Sequence, residues 1–403
     1  MTVSVKQYYP VVIVGGGMAG ASLALALARQ GIECAVFEAF VPNTQSQPSF
    51  DDRTVALSAA SLNILRHLEV PIQQVSEPID NIHVSDEGHF GFARLSAEEI
   101  GVERLGAVVE NWQLGNALHQ KIEAVAGIDY VTPATVTQLQ QDSQQAKLTV
   151  ELTESSAEVS AQLVVLADGA RSPLRQMLHI DSDIRDFKTS ALVCNLATQL
   201  PHNNCAYERF TADGPLALLP LTQKRLALVW SKPREQIDDY LAMSDEQFAR
   251  ALEDTFGARL GRITKVGERK SFPLIQQKAE TLFRGRCVLI GNAAQSLHPI
   301  AGQGFNLGLR DVAVLSQQLS QASDYGAYEV LSAYQESRNS DREQTLCVTE
   351  SLARLFSNTW TPLCLTRNVL LKALDTLPVV KGLFAEQAMG FNFNNSELAA
   401  HDE

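Results

Sequence analysis

The sequence predicts an α/β fold: a parallel-sheet domain assembled from distant parts of the chain, an antiparallel β-sheet inserted into it, and a C-terminal helical segment. Three observations carry this. Short apolar runs at 11–14, 163–167 and 287–290 each stop abruptly at a glycine or polar pair. Between the last two, the chain breaks into short strand-like runs separated by turn residues. From Phe305 onward the apolar positions 305, 309, 312, 315 and 319 follow the 3.6-residue period of a helix.

Val11-Val12-Ile13-Val14 is the β-branched run expected of a strand buried on both faces. Gly15, Gly16, Gly17 and Gly20 follow at once. Residues 18–30 are rich in Ala and Leu, strong helix formers, and Gly31 is placed to cap the helix. Residues 33–38, ECAVFE, supply the next buried strand and complete a βαβ unit. The glycines and the single basic flank, Lys6, make this stretch a strand, turn and helix rather than a signal peptide or membrane span.

Gly15-x-Gly17-x-x-Gly20 therefore sits where a Rossmann-like dinucleotide turn belongs. The first glycine makes the turn, the second lets a pyrophosphate approach, and the third lets helix and strand pack closely. Glu38 ends the second strand, where a carboxylate accepts hydrogen bonds from an adenosine ribose. The runs at 163–167 and 287–290 end in Asp168-Gly169 and Gly291-Asn292. Strands of an open α/β sheet meet ligands at such carboxyl ends.

Runs at 190–200, 205–211, 215–221 and 225–232, parted by turns such as Asp213-Gly214, give the inserted antiparallel sheet. The Gln-rich stretch 138–145 reads as a hairpin loop. The expected division is 1–72, 101–182 and 275–345 for the discontinuous nucleotide domain, 73–100 and 183–274 for a substrate-binding sheet, and 346–403 for a helical region.

Composition narrows the function. Lys and Arg total 33 against 46 Asp and Glu, a net charge of −13, which repels a phosphate backbone and excludes nucleic-acid binding. The six cysteines form no CxxC pair and the eight histidines do not cluster, so no metal site is expected and the thiols fit a cytoplasmic location.

Three motifs in the right order resemble the flavin-dependent aromatic hydroxylases of the para-hydroxybenzoate hydroxylase fold. They are the first glycine turn, the DG motif Leu166-Ala167-Asp168-Gly169-Ala170-Arg171-Ser172, and a second fingerprint running from Gly291-Asn292 through His298-Pro299 to Gly302-Gln303-Gly304-Phe305-Asn306. The resemblance implies FAD as cofactor, with NADPH or NADH as a transient electron donor and O₂ activated as a C4a-hydroperoxyflavin. It implies that Gly302, Gln303 and Gly304 open a helix toward the flavin's pyrimidine ring, that Pro299 lines the flavin face, that Asn306 fixes the ring edge and that Arg53 contacts the cofactor. Asn292 stands where the family usually has Asp. An amide there still bonds the ribityl hydroxyls but supplies no charge.

Segments such as Glu208-Arg209-Phe210-Thr211 and Gly214-Pro215-Leu216-Ala217-Leu218-Leu219-Pro220 are similar to the ubiquinone-biosynthesis branch. That branch implies a polyprenylated phenol as substrate, contact with other enzymes of the pathway, and peripheral contact with the inner face of the membrane. A base must help ionise the phenol; His298 is the first candidate, with Tyr207 and Arg209 on one face of a strand. Leu216, Leu218 and Pro220 are expected to line the pocket. Residues 361–390 are apolar with Arg367, Lys372 and Lys381 against Asp375 and Glu386, which fits either a membrane-facing surface or a helical cap on the core. A sister hydroxylase acting at another ring position, a hydroxylase of a soluble aromatic and a flavin-holding subunit without turnover stay open.

Overall fold

The computed structural model describes residues 5–41, 53–296 and 303–356, with 368, 371–373, 375–376, 381–382 and 389. Its first sheet is the one the scattered apolar runs predict. Tyr8–Val14 pairs in parallel with Cys34–Phe37 on one side and with Ser156–Leu166 on the other. Cys287–Leu289 and Ile128–Val131 extend it in parallel outward. Val14 lies in register with Phe37 and Leu166, and Leu166 with Leu289. Four carboxyl ends thus stop on one line, and the polar and glycine residues that follow them collect along one edge.

The core explains why these runs carry no polar residue. Val11, Val12 and Ile13 are fully buried, as are Leu163 to Leu166. The helix Met18–Arg29 covers one face and buries every residue from Gly20 to Leu27. Gln303–Ser320 packs beside it, so close at Gly308 that a Cβ there would meet Gly291 Cα at 3.3 Å. The Gln-rich stretch is indeed a hairpin, Ala134–Gln141 paired with Ala146–Leu152 and turning at 142–145.

Among the described residues the second sheet has nine strands. From Lys270–Ala279 it runs through Ser182–Thr198, Arg225–Pro233, Gly214–Leu221, Cys205–Thr211 and Asn81–Asp86 to Phe92–Ser96. Strand alternation gives it two distinct faces. Leu192, Leu196, Leu216, Leu218, Leu228 and Trp230 pack with Phe248, Leu252 and Phe256 of the helix Asp245–Phe256. That helix starts at a capping box, Ser244 with Gln247. The other face, with Ala191, Val193, Asn195, Ala227 and Val229, looks toward the first domain.

A small sheet of Thr54–Ser58, Gly106–Glu110 and Ser76–Ile79 stands between the two larger ones. Arg225 of the nine-stranded sheet is buried against Glu110 at 2.8 Å and locks the layers together. Three expected boundaries fall inside elements: the strand Ser182–Thr198 begins at 182, Lys270–Ala279 continues through 274, and the helix Tyr328–Phe356 continues through 345.

Most of 357–403, and with it most of the apolar segment 361–390, lies outside the described residues. The members described there pack inward. Leu371 and Met389 join apolar clusters of the second sheet, and Asn368 donates to Asp86 at 3.0 Å. Lys381 bonds Glu99 at 2.7 Å, while Lys372 lies 5.0 Å over the Phe92 ring. Lys372 thus meets the edge strand of the second sheet and Lys381 the short helix Ala97–Ile100 that follows it. No helix among the described residues is long and apolar enough to cross a membrane.

Candidate functional site

The glycine turn is shaped by close approach. Gly15 has φ +100°, and its N–H donates to the Phe37 carbonyl at 2.9 Å. A Cβ on Gly15 would lie 2.6 Å from the Ala167 oxygen, and one on Gly20 would lie 2.0 Å from the Gly15 oxygen, so both positions require glycine. Gly17 differs: it is exposed, and nothing lies within 4 Å of where its Cβ would be. It precedes the first turn of the helix Met18–Arg29, where unpaired N–H groups and the helix dipole favour a phosphate. Glu38 accepts from the Gly16 N–H at 2.6 Å and from the Phe40 N–H at 2.9 Å, one bond to each oxygen, which leaves lone pairs for ribose hydroxyls.

Asp168 and Gly169 sit beside this turn, since Asp168 N is among the atoms nearest Gly15. Asp168 Oδ2 accepts from Ser172 Oγ at 2.8 Å, while Oδ1 is buried and unpartnered among the described residues. Burial pushes this carboxyl up from its ordinary value, against the pull of the Ser172 bond. Next along the edge, Gly291 (φ +58°) donates to Asp311 Oδ2 at 2.9 Å, and Gln295 donates to the same oxygen at 2.6 Å. Asp311 Oδ1 accepts from the buried Arg338 at 2.7 Å. This network fixes the second turn and leaves Asn292 exposed at its tip. An orphaned acceptor, an exposed amide and an open helix N-terminus on one edge fit an extended dinucleotide such as FAD.

Asn306 departs from expectation. It is buried; its Oδ1 accepts from Ser58 N–H at 3.0 Å and its Nδ2 donates to the Ala56 carbonyl at 2.9 Å. Its amide is committed to the strand Thr54–Ser58, so it positions that strand rather than presenting its side chain to a ring edge. The same strand begins next to Arg53, whose guanidinium lies 5.0 Å over the Phe272 ring.

Arg53 lines a cavity of about 260 Å³ between the small sheet and the free face of the large one. Its apolar wall includes Ala191, Val193, Ala227, Val229 and Phe272; Asn111 and Asn195 add polar groups. Asn111 Oδ1 and Asn195 Nδ2 are buried without partners among the described residues. Neither asparagine carries a sequence motif; strand register brings Asn195 to the cavity, and the start of the helix Asn111–Glu123, directly after the strand Gly106–Glu110, brings Asn111 there.

His298, Pro299 and Gly302 lie outside the described residues. Gln303 and Gly304 open the helix Gln303–Ser320, as the second fingerprint suggests. Tyr207 and Arg209 do share a face, but it is the one away from the cavity. Tyr207 meets Phe256 edge-on at 5.4 Å, and burial pushes its hydroxyl well up, making it a poor base. Arg209 donates to Ser85 at 3.3 Å. Leu216 and Leu218 pair across from these two and fill the core beneath the helix Asp245–Phe256; Pro220 is also buried and none of the three lines the cavity. Their strand is apolar at nearly every position, so its sequence does not distinguish the two faces.

Burial pushes the His83 imidazole down to about 4, with Arg259 and Arg94 adding to it, which leaves it neutral between Phe92 and Tyr207. Buried Cys34, Cys194 and Cys287 have thiols raised to about 12 and are inert. No metal-holding cluster occurs among the described residues.

Comparison with known proteins agrees with this geometry. A family model described as FAD binding domain matches residues 8–349. The chain is 34% identical over 396 residues to "Ubiquinone hydroxylase UbiL" of Rhodospirillum rubrum, covering 97% of this chain and 91% of that one. It is 33% identical to "3-demethoxyubiquinol 3-hydroxylase" of Escherichia coli, covering 96% and 99%. The p-nitrophenol 4-monooxygenase PnpA of Pseudomonas putida superposes with a TM-score of 0.80 at 18% identity, covering 98% of this chain and all of that one, and so shares the fold.

Proposed function

Since the chain belongs to the FAD binding domain family of flavin-dependent aromatic monooxygenases, with the ubiquinone hydroxylases among its relatives, we propose that it hydroxylates the ring of 2-polyprenyl-6-methoxyphenol in ubiquinone biosynthesis. The observation that supports this best is the convergence of two glycine turns and the DG motif on one sheet edge, in a chain that also holds an apolar cavity against its second sheet. Bound FAD, reduced by NADH or NADPH, supplies the activated oxygen that the ring receives. Gly17 and the helix behind it bind the diphosphate, Glu38 the ribose, and Asp168 and Asn292 the remaining hydroxyls.

The chain's further task is to hold an electron-rich ring in a dry place. Ala191, Val193, Ala227 and Val229 exclude water from the cavity, while Asn195 and Asn111 offer hydrogen bonds that orient oxygen substituents. A cavity of about 260 Å³ admits a substituted ring, and a long prenyl tail has to leave it. We expect that tail to be supplied at a membrane or by a partner enzyme. The similarity to a 3-demethoxyubiquinol 3-hydroxylase favours a second reading in which another position of the same ring is oxidised.

The test is to offer the flavin-loaded protein 2-prenyl-6-methoxyphenol and a demethoxyubiquinol analogue separately, with NADH or NADPH, and to assign the product by NMR. A new hydroxyl on the first substrate supports the proposal. Turnover of the second alone moves the reaction to the other ring position.

A further inference from the structure

On the cavity-facing side of the nine-stranded sheet, one row of side chains runs straight across the strands: Val193, Val229, Ala217, Glu208, Val84 and Ala93. Five are apolar and one is a carboxylic acid. Its neighbours along the strand on this face, Ala206 and Phe210, are buried, as is Val84. Val193 and Val229 line the cavity. Adjacent strands lie about 5 Å apart, which puts Glu208 about 10 Å from Val229 with only the methyl group of Ala217 between them. Ala217 and Glu208 lie just beyond the cavity's Val229, so a substituted ring reaching from Val229 over Ala217 would bring its hydroxyl toward that carboxyl.

The surroundings of Glu208 offer it nothing else. Among the described residues its carboxyl has no hydrogen-bond or ion-pair partner. The charged groups on this face are engaged or distant. Asp86, one row away on the neighbouring strand, meets His89 at 3.1 Å and Asn368 at 3.0 Å. Lys270 pairs with Val193 at the far end of the row, and Arg53 lies over Phe272 beyond it. Lys372 and Asp375 of the C-terminal segment face Phe92 and Arg94. Burial alone raises the Glu208 carboxyl to about 8. If this position served packing only, Gln or Leu would satisfy it without the cost of a carboxyl in an apolar strip.

We propose that Glu208 accepts the phenolic proton of the ring held in the adjoining cavity, an assignment that rests on the hydroxylase reading above. The phenol O–H bond breaks, its electron pair stays on the phenolic oxygen, and a new O–H bond forms on a Glu208 carboxylate oxygen. The ring becomes more electron-rich at the carbon that receives oxygen. A base whose affinity for protons lies between an ordinary carboxylate and a phenol makes this transfer less uphill.

Two readouts test it on the full-length, flavin-loaded protein, with E208Q as the variant and E208D as the conservative control. The first is ultraviolet difference titration of bound 2-methoxyphenol, which reports phenolate without turnover. Glu208 ionises first, so bound phenol should ionise at least about one pH unit higher in wild type than in E208Q, where no carboxylate charge opposes the phenolate, with E208D in between. The second is hydroxylation of 2-prenyl-6-methoxyphenol. E208Q should keep its FAD and lose on the order of a hundredfold in rate at about pH 8.5, where Glu208 has released its own proton; the gap should narrow below about pH 8, where wild type holds Glu208 protonated, and again toward the phenol's own ionisation.

Identical phenol titrations in wild type and E208Q overturn the proposal. A wild type that shifts phenol ionisation through Glu208 yet forms no oxygenated product supports the base and overturns the hydroxylase reading. Oxygenation that E208Q leaves unchanged at every pH overturns the base and keeps that reading. A wild type that binds no phenol overturns both.

Discussion

Gly17 and Gly20 look alike in the sequence and do opposite work in the structure. Gly20 has no room for a side chain, because its Cβ would overlap the Gly15 oxygen, whereas Gly17 has open space. G20A should therefore disturb the fold of the first domain and lower the yield of soluble protein. G17A should lose about 1 kcal/mol, since Gly17 caps the helix and alanine caps less well than glycine, but it should stay folded. It should nonetheless bind FAD at least about tenfold more weakly, because its methyl occupies the space a diphosphate needs. Urea unfolding of the apoprotein and flavin fluorescence titration separate the two effects. Glu208 gives a prediction of definite sign. Its carboxyl is raised to about 8 from an ordinary 4.5, so the folded protein holds a proton that the unfolded chain has released. Stability from this group is present below about 4.5 and is lost as pH rises toward 8. E208Q removes that dependence, and it should gain stability over wild type at pH 8 relative to pH 5 in urea titrations.

Elements are held together by buried charges whose partners come from far along the chain. Asp311 on the helix Gln303–Ser320 joins the Gly291 N–H, Gln295 and Arg338 of the next helix. D311A leaves Arg338, only 1% exposed, without one of its carboxylates. It should cost about 3–5 kcal/mol in denaturant unfolding, and its residual folded fraction should have lost flavin affinity through the loosened Gly291 turn. The strands and turns of the first sheet were readable in the sequence, because a run buried on both faces has to be apolar throughout and has to stop at residues that meet solvent or ligand. The inward faces of the second sheet were not. Gly214–Leu221 reads GPLALLPL, with apolar residues on both sides, so alternation says nothing about which face looks to the cavity. That is decided by the helix Asp245–Phe256, which claims Leu216 and Leu218. Asn111 and Asn195 were invisible for a related reason: each is an ordinary polar residue until the fold turns it toward the cavity, Asn195 by strand pairing and Asn111 by the start of a helix.

The whole molecule is a parallel sheet that gathers its glycine and acidic turns on one edge, with an antiparallel sheet that closes a cavity against Arg53, Thr54 and Asn111. The pair Arg225–Glu110, 115 positions apart, spans these layers and is not legible from either partner alone. An apolar, partly polar-lined chamber of this kind would suit the ring of an aromatic substrate, were FAD held along the turn edge. The central claim is that the oxygen placed on the ring comes from O₂ at this site. The most direct measurement is aerobic incubation of the FAD-loaded protein with NADH or NADPH, a short-chain 2-prenyl-6-methoxyphenol and ¹⁸O-labelled O₂, followed by mass spectrometry. A product carrying one labelled oxygen atom is the predicted result. Nicotinamide oxidised with hydrogen peroxide as the sole product, or a product whose oxygen comes from water, would contradict the account.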